Sequence, residues 1–113
     1  MIRTLTAAAL LCAFADLSAV ASAKAETGIA SWYGAESGPR TANGERFRPE
    51  GVSCAHRTRA FGSVVTVTLL SSGRSIQCRI NDRGPFVRGR IIDLSHGEAR
   101  LLGMGGTARA SVR

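Results

Sequence analysis

A small all-β barrel with one or two short helices is the fold class this chain predicts. Three observations carry it. Residues 64–70 (VVTVTLL) are rich in β-branched side chains, and residues 75–81 (SIQCRIN) alternate apolar with polar. Glycine is frequent, 13 of 113 residues, so the elements are short and the turns many. Helix signals gather in one place, just after Ser95. A sheet built from such short strands exposes its edges unless it closes, and closure into a barrel removes them.

The elements follow in order. Residues 28–34 (GIASWYG) read as a first strand ending at a glycine. Residues 35–48 are polar and contain glycine, a loop long enough to suggest function more than connection. Residues 51–55 form a short strand or turn. Residues 64–70 and 75–81 make a hairpin through Ser71-Ser72-Gly73. Residues 90–94 are another short strand. Ser95 is a helix N-cap, with Glu98 three residues on completing a capping box. That helix runs to Leu101 or Leu102 and is stopped by Gly103, Gly105 and Gly106. Residues 107–113 are the closing strand, and no second domain is expected.

Residues 1–25 read as a secretory signal peptide and residues 26–113 as the barrel domain. Arg3 supplies the positive start, residues 5–14 are apolar apart from Thr6, and Ala21-Ser22-Ala23 and Ala23-Lys24-Ala25 are small-x-small cleavage sites. The apolar run is too short to span a bilayer. Cys12 is preceded by Leu11 where a lipobox wants a small residue, so no lipid anchor is expected after signal removal. The protein is expected to be exported, periplasmic or secreted, and monomeric.

The chain carries a formal net charge of +7, and loss of Arg3, Lys24 and Asp16 with the signal leaves +6. Such a field attracts polyanions. Nucleic acid is the generic partner, but an exported protein meets the anionic cell wall instead, so no nucleic-acid partner is expected. Of the 3 cysteines, Cys54 and Cys78 remain after the signal. Export favours a disulfide between them over a zinc site with His56 and His96, whose spacing matches no common zinc pattern. No metal and no organic cofactor are expected.

The chemistry-bearing stretch is Asn81-Asp82-Arg83-Gly84-Pro85-Phe86-Val87-Arg88-Gly89-Arg90-Ile91-Ile92-Asp93-Leu94-Ser95. It sets one Asp at a Gly-Pro turn and a second at the end of a short apolar run. Taken with Ala42-Asn43-Gly44-Glu45 and Ala55-His56-Arg57-Thr58, it resembles the double-psi β-barrel domain of the rare lipoprotein A family. The resemblance covers residues 28–112 and implies a six-stranded double-psi topology. It also implies activity on peptidoglycan glycan strands as a lytic transglycosylase, in which the 6-hydroxyl of the muramic sugar attacks its own anomeric carbon and leaves a 1,6-anhydro product. The alternative on the same barrel is a non-catalytic, expansin-like module that binds or loosens wall polysaccharide, because a fold does not dictate its chemistry.

The resemblance makes Asp82 the acid/base, with Glu45 and His56 as catalytic partners. Asp82 alone also reads as a turn-capping residue. Glu45 follows the Asn43-Gly44 turn and also reads as a solvated loop carboxylate. His56 either orients a carboxylate or serves as a structural hydrogen-bond donor. Asp93, by likeness to the Asp-Leu-Ser motif of expansin-like barrels, is assigned to substrate binding, or else caps the strand-to-helix junction. Trp32 and Tyr33 match an aromatic pair near the barrel's start and either stack on sugar or fill core. Asn43 and Arg83 complete the candidate substrate contacts, and Arg83, Arg88 and Arg90 suit carboxylate recognition.

Overall fold

A computed structural model describes residues 24–113. Residues 1–23 of the segment read as a signal peptide, Cys12 among them, fall outside the described residues. Six strands are present: β1 (Glu26–Tyr33), β2 (Cys54–Ala55), β3 (Val64–Leu69), β4 (Ser75–Asp82), β5 (Arg90–Ser95) and β6 (Ala108–Val112). One helix, α1 (His96–Leu102), and a 3-10 turn at Ala35–Ser37 complete the set. The strands close in the order β1-β5-β2-β4-β3-β6. β1 runs parallel to β5 and β2 parallel to β4, while the other four pairings are antiparallel. Only β3 and β4 pair across a local hairpin. The other pairings join segments distant in sequence.

Local signals set most boundaries. Val65, Val67 and Leu69 of β3 point inward and their neighbours outward, as the alternation predicts. Ser95 caps α1, its hydroxyl accepting from the Glu98 amide at 3.3 Å. Gly103 ends the helix at φ 70°, a left-handed conformation that costs glycine nothing. β1 begins at Glu26, earlier than its residue types suggest, because Glu26 and Thr27 lie opposite Val112 and Ser111 of β6.

The barrel interior is aliphatic, built from Ala30, Val65, Val67, Leu69, Ile80, Ile92, Leu94, Ala110 and Val112 around Cys54 and Cys78. Those two cysteines form a disulfide across 24 residues that ties β2 to β4. β2 is only two residues long, so this covalent link reinforces the shortest element of the ladder. By loop-closure entropy the bond contributes roughly 3 kcal/mol. A Cys54→Ala/Cys78→Ala double variant is expected to lose at least that amount in urea unfolding, and an unchanged midpoint would show the link is dispensable.

The long loop before β2 folds back against the barrel. Phe47, 5% exposed, is its anchor. The Gly97 amide donates to Pro49 O at 2.9 Å, and the Ser95 hydroxyl donates to Gly51 O. A Cβ on Gly97 would lie 2.5 Å from Glu50 O, so only glycine lets α1 and this loop approach so closely.

Candidate active site

Four strands present a row of residues on one outer face. Ser31 of β1 is in register with Asp93 of β5. Ala55 of β2 is in register with Asp93 on one side and with Asp82 of β4 on the other. Residues paired this way share a face, and the two aspartates are two strand spacings, about 10 Å, apart at their Cα atoms. The Ala55 side chain between them is small and itself only 2% exposed. Two carboxyl groups therefore flank one small buried residue on the same face.

Asp82 is held by three donors. Oδ1 accepts from the Ala42 and Arg83 amides, both at 2.9 Å. Oδ2 accepts from the Tyr33 hydroxyl at 3.1 Å. Tyr33 reaches across from β1 and stacks on Phe47 with centroids 4.6 Å apart and planes 8° from parallel. Burial first, and the Asp82 charge second, push the Tyr33 phenol well above its ordinary range. Tyr33 is thus a permanent donor to Asp82.

Asp93 is more enclosed. Its Oδ1 accepts from the Ser31 hydroxyl at 2.6 Å. Burial raises its pKa, and the Ser31 bond and Arg90 only partly offset this, while Asp82 adds to the rise.

Glu45 does not face the row as a free acid. Its carboxylate takes two hydrogen bonds from Arg79, at 2.9 and 2.8 Å, and one from Asn43 Nδ2 at 2.7 Å. The Arg79 and Asn43 bonds hold its pKa down at about 2. The group expected as a second acid is therefore a fixed carboxylate, because a bidentate guanidinium stabilises only the charged form. It secures the loop whose Ala42 amide binds Asp82. Asn43 is consumed in the same turn: its Oδ1 accepts from the Thr41 hydroxyl at 2.6 Å and the Glu45 amide at 3.1 Å. Gly44, at φ 92°, makes that turn possible.

His56 is 4% exposed, and its ring is spoken for. Nδ1 accepts from the Thr58 and Arg59 amides at 3.1 and 3.0 Å, which leaves the proton on Nε2, 2.9 Å from Glu26. Its link to Asp82 is through the main chain, His56 N to Asp82 O at 3.2 Å. Partial burial alone would raise Glu26, but the His56 and Arg59 bonds outweigh it and keep that carboxyl below its ordinary value.

Arg83 is engaged as well. Its Nη1 donates to His56 O at 3.2 Å and Arg59 O at 2.9 Å, and its guanidinium lies 3.9 Å over the Phe61 ring. Among the described residues it makes no side-chain pair with Asp82. Alternation along β1 puts Trp32 on the opposite face from Tyr33. The indole donates to Gly105 O at 2.9 Å and packs against His96 with centroids 4.6 Å apart and planes tilted by 43°. Trp32 thus sits apart from the aspartate row.

Sequence reasoning missed Ser31, Phe47 and Arg79, which have no motif of their own, and named Ala55 only as the first residue of the His56 block. It also read Glu98 only as a cap. The Glu98 side chain is 0% exposed and neither oxygen has a partner. The reciprocal half of the capping box is absent because the Ser95 amide instead donates to Ser53 O at 3.1 Å.

A family model described as lytic transglycolase, of the double-psi β-barrel type, matches residues 25–113. The chain belongs to that family. A Nostoc protein named probable endolytic peptidoglycan transglycosylase RlpA is 57% identical over 89 residues, 76% of this chain and 24% of its own length. The Pseudomonas aeruginosa endolytic peptidoglycan transglycosylase RlpA is 47% identical over 87 residues, 76% of this chain and 26% of its own. That of Campylobacter jejuni is 43% identical over 95 residues, 83% and 34% respectively. The chain thus spans between a quarter and a third of the curated relatives it matches. In this double-psi barrel the shared region includes the whole closed sheet and the aspartate row.

Proposed function

We propose that this barrel is an exported, monomeric lytic transglycosylase that cleaves the MurNAc–GlcNAc bond of peptidoglycan strands. The observation that carries the reading is Asp82, oriented by three donors, with Asp93 on the same face and Ala55 in register between them. Asp82 delivers a proton to the glycosidic oxygen as the bond to the muramic anomeric carbon breaks. The Asp93 side chain flanks the oxocarbenium-like centre and stabilises it in its charged form. The 6-hydroxyl of the same sugar then attacks that carbon and returns its proton to Asp82. The product is a 1,6-anhydro sugar, and no water enters.

The remaining residues act by placement. Tyr33 keeps its proton and fixes the Asp82 carboxyl. Glu45, through Arg79 and Asn43, holds the loop that supplies the Ala42 amide. His56 and Arg83 secure residues 56–59 behind Asp82. Trp32 braces the end of β1 against α1.

The test is mass spectrometry of soluble products after incubation with purified peptidoglycan, intact and amidase-stripped. Anhydro-muramyl products are expected. Wall binding without products on either substrate would move the reading to the expansin-like alternative.

A further inference from the structure

Beside the aspartate row lies a separate cavity of about 300 Å³, lined by Glu45, Arg46, Arg48, Val52, Arg79 and Asn81 among others. Its charge is one-sided. Arg79 and Glu45 satisfy each other through two hydrogen bonds. Arg46 and Arg48 make no side-chain hydrogen bond or ion pair among the described residues. Two guanidinium groups are thus left over at one cavity. Val52, 57% exposed, adds an apolar wall next to them. Asn81 is 4% exposed, and its side-chain oxygen has no partner. Its amide nitrogen is turned to Glu45 and helps hold that carboxylate charged, so the open position is the oxygen, which accepts from a ligand's donor.

Unpaired guanidinium groups select a carboxylate or a phosphate. The exposed valine argues for a carboxylate carried beside a methyl group. A carboxylate, a methyl and an adjoining polar amide occur together in an O-lactyl N-acetylhexosamine. The position also fits: Asn81 precedes Asp82, and the loop carrying Glu45 and Arg46 also supplies the Ala42 amide to Asp82 at 2.9 Å. We propose that this cavity is a subsite for the lactyl ether of a muramic residue, with Arg46 and Arg48 on its carboxylate and Val52 on its methyl. The choice of sugar rests on the transglycosylase reading, whereas the anion site itself rests on the cavity and its charges.

The test is an NMR titration of the barrel with peptide-free GlcNAc–MurNAc disaccharide and with the same disaccharide after reduction of its carboxyl to an alcohol. This disaccharide has no MurNAc–GlcNAc bond, so binding is read without turnover. Wild type is expected to bind the acid at least about tenfold more tightly than the alcohol, with shifts in the Asn81 side-chain amide. An Arg46→Gln/Arg48→Gln variant is expected to bind both forms equally weakly. Both arginines are exposed, so the variant folds. Equal binding of acid and alcohol by wild type, or no shift at Asn81, overturns the subsite. Selective binding here without anhydro products from strands would sink the transglycosylase reading and leave the anion site standing. Products without selectivity would do the reverse.

Discussion

Asp82→Asn is expected to lower the rate of anhydro-muramyl product release on the order of 10³-fold, the usual contribution of a positioned acid/base. The substitution keeps the shape of the side chain. Its oxygen still accepts from the Ala42 and Arg83 amides, so the loop and turn stay in place. What disappears is the transferable proton. Far-UV spectra and the urea midpoint should therefore match wild type. Asp93→Asn is the control that gives the result meaning, since burial raises the pKa of that carboxyl. It is expected to retain more activity than Asp82→Asn, because loss of a flanking charge leaves proton delivery intact. The opposite ranking would move the proton donor to Asp93. Product quantification by mass spectrometry on amidase-stripped strands reads both variants.

Stability should fall as pH rises through the neutral range, and Glu98 is the reason. Burial pushes its carboxyl from 4.5 to about 8, and the nearby Ser95 and Ser53, neither of which reaches hydrogen-bond geometry with its oxygens, offset this only in part. A raised acid binds its proton more tightly in the folded state. Its stabilising contribution is complete below the unfolded value of 4.5 and is lost as pH climbs toward the folded value of about 8. At about 1.4 kcal/mol per unit, the loss across that window is roughly 5 kcal/mol. Glu26, Glu36, Glu45 and Glu50 are shifted the other way and lose their contributions only under acid. The difference between wild type and Glu98→Gln therefore isolates the buried group. The two proteins should have similar urea midpoints near pH 4, and the variant should be the more stable above pH 8. A Glu98→Met variant guards against an unsatisfied amide in the Gln form. Parallel stability curves for all three would show that Glu98 is ionised without penalty in the fold.

Much of this architecture is legible in the chain because its signals are local. The hairpin of β3 and β4 follows from β-branched residues, alternation and the Ser71-Ser72-Gly73 turn. The short helix follows from Ser95 and Gly103. Cys54 and Cys78 are paired, as an exported domain led one to expect. The site was legible to a lesser degree. Asp82 and Asp93 stand out in the sequence because one sits at a Gly-Pro turn and the other follows a short apolar run, and the structure sets them in one row, Asp82 at the end of β4 and Asp93 within β5. The working states of Glu45, His56 and Arg83 were not legible. Each depends on a partner far away in sequence: Arg79 lies 34 residues from Glu45, Glu26 lies 30 from His56, and the Arg59 carbonyl lies 24 from Arg83. No periodicity links such pairs. Trp32 and Tyr33 are neighbours in sequence, yet the pleat sends them to opposite faces.

By itself, then, the amino-acid order determined the strand set, the helix with its caps, the turns and the two candidate aspartates. Those features depend on φ/ψ preferences and on contacts within a few residues. Only the tertiary structure decided that β2 lies between β4 and β5, which places Ala55 opposite both aspartates. It also decided that Glu45 is held ionised by Arg79, that Glu98 is sealed from water, and that Arg46 and Arg48 have no side-chain partner among the described residues at a cavity. The physical reason is closure of the barrel. Register across a closed sheet brings distant segments to fixed separations, and burial and charge pairing then set what each side chain does.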